Sequence, residues 1–131
     1  MVAVDTNILV GFITTDDLKQ FAEVESMFAS CGHRQEKVFV SIPVVCELVW
    51  VLTVAYRQTK QQIVSVLEFL LNDGLFYLDQ EPLIRIALGR YRQGKGDFAD
   101  YLIGAIAAGA GCRDTVTFDR NLRGAGFTVL P

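Results

Sequence analysis

Histidine is almost missing from this chain, with His33 its single example. That residue stands in a polar stretch, Gly32-His33-Arg34-Gln35, and is expected to be exposed. Chemistry built on an imidazole base or a histidine-rich zinc site is therefore set aside. Cysteine is also scarce. Cys31, Cys46 and Cys112 are odd in number, widely spaced and without a CxxC pair, which excludes a disulfide framework and a zinc finger. They are expected to be small buried hydrophobes in a reducing cytoplasm. No GxGxxG or Walker A pattern occurs, and Gln93-Gly94-Lys95-Gly96-Asp97 is too short for either. The apolar runs break well before the ~20 residues of a membrane helix. A strand-like segment follows Met1 at once, so no signal peptide is expected. Linkers, internal repeats and low-complexity segments are absent as well.

What is present fits one domain spanning residues 1–131, long enough to bury a sizeable core. Hydrophobic residues make up 51% and charged residues 21%, which excludes a disordered chain. The net charge of −3 does not mark a nucleic-acid binder. Its distribution is uneven. Residues 1–84 carry 5 Lys/Arg against 11 Asp/Glu, whereas residues 85–131 carry 7 against 4. Arg85, Arg90, Arg92, Lys95, Arg113, Arg120 and Arg123 make the second part basic. From charge alone these could equally be ordinary solvated helix faces.

Strand and helix signals alternate. Short β runs are expected at Val2–Val4, Val38–Val40, Leu75–Leu78, Thr115–Phe118 and Phe127–Leu130. Asp16-Asp17 should cap a helix that ends at Cys31-Gly32. Ser41 and Pro43 should open a second, running to about Tyr56. Thr59 should cap a third, with Ile63, Val66, Leu67 and Leu70 on its apolar face. Glu81-Pro82 should start a fourth, carrying Leu83, Ile86, Ala87 and Tyr91. A last helix should run from Asp97 or Phe98 to Ala110, stopped by Gly111. Strands apolar on both faces, separated by helices, imply an α/β fold with a parallel sheet covered by helices. In such sheets, sites form outside the C-terminal strand ends.

Four acids fall at such places. Val2-Ala3-Val4 runs into Asp5, and Thr115-Val116-Thr117-Phe118 runs into Asp119. Glu47 interrupts Val44-Val45-Cys46-Glu47-Leu48-Val49-Trp50, beside an expected core face at positions 44, 48, 51 and 55. Asp100 interrupts Phe98-Ala99-Asp100-Tyr101-Leu102-Ile103. Carboxylates taken out of water are costly unless paired or bound to a cation. Four together call for positive charge between them, and the economical solution is a hard divalent cation, Mg²⁺ or Mn²⁺. Some of these positions also have a plainer reading, though Glu47 is harder to explain away. Asp5 suits a helix N-cap or an Asx-turn. Asp97 and Asp100 fit a capping-box variant, with Asp97 the cap and Asp100 the ligand. Thr117 should face the same side as Asp119, where its hydroxyl could hold a water, or it is simply a β-branched strand former.

Taken together these segments resemble the PIN-domain family, and more narrowly the VapC-type toxins of bacterial toxin–antitoxin pairs. Met1-Val2-Ala3-Val4-Asp5-Thr6-Asn7-Ile8-Leu9 looks like the opening strand of that family. Ser41-Ile42-Pro43-Val44-Val45-Cys46-Glu47-Leu48 looks like its glutamate-bearing helix. Asp97-Phe98-Ala99-Asp100-Tyr101-Leu102-Ile103-Gly104 and Val116-Thr117-Phe118-Asp119-Arg120 look like its third and fourth motifs. The resemblance implies a three-layer α/β/α sandwich around a parallel sheet of about five strands. It implies a Mg²⁺- or Mn²⁺-dependent ribonuclease, with Asp5, Glu47, Asp100 and Asp119 as the acidic quartet that holds the metal. Asp97 matches an accessory position, and Asn7 and Thr117 would support the reaction. An RNA substrate, a cognate antitoxin and a homodimer are also implied. The opening loop and residues 57–95 match no family motif. The alternatives are a non-catalytic binding module, or a metal-dependent phosphatase or DNA nuclease.

Overall fold

The structure is a computed structural model that describes residues 1–131. It divides into two compact units, Met1–Asp79 and Gln80–Pro131.

The first unit contains β1 (Val2–Ala3), α1 (Thr6–Thr14), α2 (Leu18–His33), β2 (Val38–Val40), α3 (Ile42–Val54), α4 (Lys60–Asn72) and β3 (Phe76–Leu78). Its sheet has the order β1-β2-β3 and is parallel throughout, with Val2 opposite Val38 and Val38 opposite Phe76. Parallel pairing brings the C-terminal ends of all three strands to one edge, from which α1 and α3 depart. Val38 and Val40 are fully buried, as befits a central strand covered on both faces. Behind the sheet lies an aromatic cluster. The Phe12 ring meets Phe28 edge-on at 5.0 Å, and Phe76 meets Phe28 at 5.4 Å and Phe69 at 5.8 Å. Such edge-to-face pairs contribute about 0.5–1.5 kcal/mol each beyond their burial.

The second unit contains α5 (Glu81–Gln93), α6 (Phe98–Gly109), β4 (Thr115–Thr117), a 3₁₀ turn (Arg120–Leu122) and β5 (Phe127–Val129). β4 and β5 pair in parallel, with Thr115 opposite Phe127. α5 and α6 are joined by the contact of Tyr91 with Phe98, an edge-on pair at 5.9 Å. Gly104 lets α6 approach β5, because a Cβ there would lie 2.9 Å from the Phe127 ring. The five expected strands are thus all present, paired in parallel within one sheet of three and one of two.

Several local expectations are corrected. The expected opening loop is the helix α1, started by Asp5, whose Oδ1 accepts the Ile8 N–H at 3.2 Å. Its β-branched residues Ile8, Val10 and Ile13 weaken the helical signal, and burial of Thr6 and Leu9 overrides it. α2 runs two residues past Cys31 and is closed by Gln35 in the left-handed region at φ 53°, with the Glu36 N–H donating to the Cys31 carbonyl. The core face of α3 is Val45, Leu48, Val49 and Leu52, while Ala55 is exposed. α5 is likewise turned, burying Ile84, Ala87, Leu88 and Tyr91 and leaving Ile86 exposed. Cys31 is buried as expected, but Cys46 is half-buried and Cys112 exposed. No helix is long and apolar enough to cross a membrane.

Candidate active site

In the second unit the chain gathers three acids. Asp97 is the N-cap of α6, and its own N–H donates to Asp100 Oδ2 at 3.0 Å. Asp97 and Asp100 thus form the expected capping box. Asp119 follows β4 and caps the 3₁₀ turn, its Oδ1 accepting the Asn121 N–H at 2.9 Å. Thr117 Oγ1 accepts the Asp119 N–H at 3.0 Å, so the threonine hydroxyl fixes the backbone at Asp119. Asp100 feels all of this. Burial raises its carboxyl pKa above the usual value, and the negative charges of Asp97 and Asp119 raise it further. The hydrogen bond from the Asp97 N–H acts against the rise without cancelling it. On the neighbouring helix, burial and then the Asp97 charge push the Tyr91 phenol upward.

In the first unit Asp5 lies just past β1 and Glu47 lies on α3, the helix that follows β2. Asp5 spends one carboxylate oxygen on the α1 cap and keeps the other. Glu47 is exposed, and its side chain makes no hydrogen bond or ion pair. Asn7, on the first turn of α1, lines a cavity of about 310 Å³ with Ile8, Gly11, Gln20, Val24 and Met27. The strand-then-acid pattern recurs at Leu78-Asp79. Asp79 is half-buried at the same strand edge, its N–H donating to the Val40 carbonyl at 3.0 Å. The same signal that singled out Asp5 and Asp119 would have found it.

The expected burial of the acids is corrected. Asp5, Glu47, Asp97 and Asp119 are exposed and only Asp100 is half-buried, so burial penalises one carboxylate rather than four. The apolar segments around them are buried, but strand ends and first helical turns reach the surface. A hard cation suits an all-oxygen donor set such as Asp97, Asp100 and Asp119, and would relieve their mutual repulsion. These side chains turn to backbone N–H groups and do not close into a cage, and no three His, Cys, Asp or Glu side chains are grouped tightly enough to hold an ion unaided.

A parallel α/β fold with acids at its strand ends and first helical turns agrees with the family profile that matches this chain. The PIN domain profile covers residues 2–127, and the chain belongs to the PIN-domain family. Within that family it is 34% identical over 132 residues to a protein named VapC ribonuclease from Aquifex aeolicus (strain VF5). The alignment takes in 100% of this chain and 97% of that protein.

Proposed function

We propose that residues 1–131 form one metal-dependent endoribonuclease domain, the toxin of a bacterial toxin–antitoxin pair. The observation that carries the reading is the set of three acids at the start of α6 and the end of β4, where Asp100 is held with a raised pKa by burial and by two like charges. Full-length similarity to a VapC ribonuclease supports RNA as the substrate.

Asp5 and Asp100 are assigned to hold Mg²⁺ or Mn²⁺, with Glu47 and Asp119 completing the set directly or through water. Such an ion, when bound, lowers the pKa of its water and polarises the phosphodiester. The remaining work belongs to the chain. Glu47, free of other partners, is available to take a proton from the attacking water at its carboxylate. Thr117 holds Asp119 in place through its N–H. Asp97 orients Asp100. Some of the basic residues of the second unit meet flanking phosphates. A cognate antitoxin and a second copy of the chain are the proposed protein partners, and the cytoplasm is the proposed location.

The test is cleavage of total RNA by the purified protein with Mg²⁺, with Mn²⁺ and with EDTA, beside Asp100→Asn. Cleavage with either metal, lost in EDTA and in the variant, is the expected result. Intact RNA with both metals would turn the reading to a non-catalytic binding module.

A further inference from the structure

The second unit contains a cavity of about 230 Å³ that the acidic site leaves unused. Arg90, Gln93, Asn121 and Arg123 supply its polar walls, and Tyr101 and Leu122 are buried beneath them. Neither guanidinium is tied to a carboxylate, unlike Arg34, which pairs with Glu36, and Arg85, which pairs with Glu81. The volume is several times the roughly 30 Å³ share of one water, enough for a phosphodiester group. The glycine loop shapes the wall. A Cβ on Gly94 would overlap the Tyr101 hydroxyl, and that hydroxyl accepts the Gly96 N–H at 3.0 Å.

Three short stretches of chain tie this cavity to the acids. Gly94 precedes Asp97 by three residues, Tyr101 adjoins Asp100, and Asn121 follows Asp119 by two while donating its N–H to it. The acids and the cavity walls thus share two segments, 90–101 and 119–125, and an RNA strand engaged at the acids has further phosphates to offer the two unpaired guanidiniums. Arginine suits this task, because its planar fork donates two hydrogen bonds to one phosphate.

We propose that Arg90 and Arg123, with Asn121, form a subsite for a non-reacting backbone phosphate of single-stranded RNA. The subsite rests on the nuclease reading but is tested apart from it. It reads no base, and its contribution is to hold the substrate in register against local carboxylate repulsion.

The experiment measures binding of a short fluorescein-labelled single-stranded RNA of mixed sequence by anisotropy in EDTA, across a salt series. The proteins are wild type, Arg90→Gln/Arg123→Gln, Arg90→Lys/Arg123→Lys and Arg113→Gln. Thermal unfolding checks that each is folded. The double glutamine variant should bind about tenfold more weakly, with a salt slope reduced by about 0.7 for each phosphate that is no longer neutralised. The lysine variant should keep most of the affinity, and Arg113→Gln should change neither quantity. In Mn²⁺, the glutamine variant should raise KM and spare kcat. Unchanged affinity and slope in the glutamine variant overturn the subsite, as does an equal loss in Arg113→Gln, which would mean a diffuse field. A wild type that shows the arginine-dependent binding but cuts nothing refutes the nuclease reading and leaves the subsite standing. A wild type that binds no RNA overturns the subsite.

Discussion

Asp100 is the one acid of the proposed quartet that is half-buried. Its pKa is raised by burial and by the charges of Asp97 and Asp119, so the folded state disfavours its ionised form. The sign follows from linkage. The contribution of Asp100 to stability is complete below its unfolded pKa of about 3.9, and is lost as pH rises through the higher folded value. Relative to Asp100→Asn, the metal-free wild type should lose stability from acid toward neutral pH. Thermal unfolding of both proteins in EDTA across that range checks this, and a difference that does not vary with pH would refute it. The variant keeps an amide oxygen to accept the Asp97 N–H, so it should stay folded while cleavage falls by orders of magnitude. Asp97 separates from it. Asp97→Ala should cost about 1 kcal/mol as a lost cap, with the smaller effect on rate. If Asp97→Asn is the dead variant and Asp100→Asn cuts RNA, the two roles are exchanged. That acids stand at strand ends and first helical turns was legible in the sequence. Their exposure was not, because apolar neighbours in sequence do not say which way a strand end faces.

Helix ends were the most legible elements, because capping is local. Thr59 caps α4 as its sequence context predicts, accepting the Gln62 N–H at 3.2 Å and donating its own N–H to Gln62 Oε1 at 2.8 Å. Thr59→Ala should lower stability by about 1 kcal/mol and leave RNA cleavage unchanged. Chemical denaturation measures the first, and cleavage of total RNA the second. Helix faces were less legible. α3 and α5 are each turned from their expected apolar face, since both carry more hydrophobic residues than one stripe needs and only packing selects among them. α1 was hidden by its β-branched content. Glycines divide in the same way. Gly111, at φ 93°, ends α6 as its sequence position suggests. The closeness of Gly104 to the Phe127 ring depends on residues far apart in the chain. Gly104→Ala should cost roughly 1–3 kcal/mol through overpacking, read as a lowered denaturation midpoint. An unchanged midpoint would mean that β5 yields easily.

For the molecule as a whole, metal binding and restraint by a partner are the properties to test. Binding of Mn²⁺ should stabilise the fold by roughly 2.7 kcal/mol at a hundredfold excess over Kd. Calorimetric titration should show weaker binding in Asp5→Asn, and equal affinity in the two proteins would remove Asp5 from the site. Expressed without its partner, the wild type should arrest growth and Asp5→Asn should not. Harmless wild type at high soluble yield would count against the toxin role. Taken alone, the sequence determined the types of the elements other than α1, the parallel α/β class and the acids worth testing, because caps, strand composition and the strand-then-acid pattern act over a few residues. Its near-lack of histidine and of paired cysteines pointed away from imidazole and disulfide chemistry. Tertiary structure decided what depends on distant residues meeting. It set the helical character of Thr6–Thr14, the buried faces of α3 and α5, and the mutual influence of Asp97, Asp100 and Asp119. It also formed the cavity between Arg90 and Arg123, residues thirty-three apart in the chain. Packing and electrostatics act through space, and no short window of sequence contains both partners.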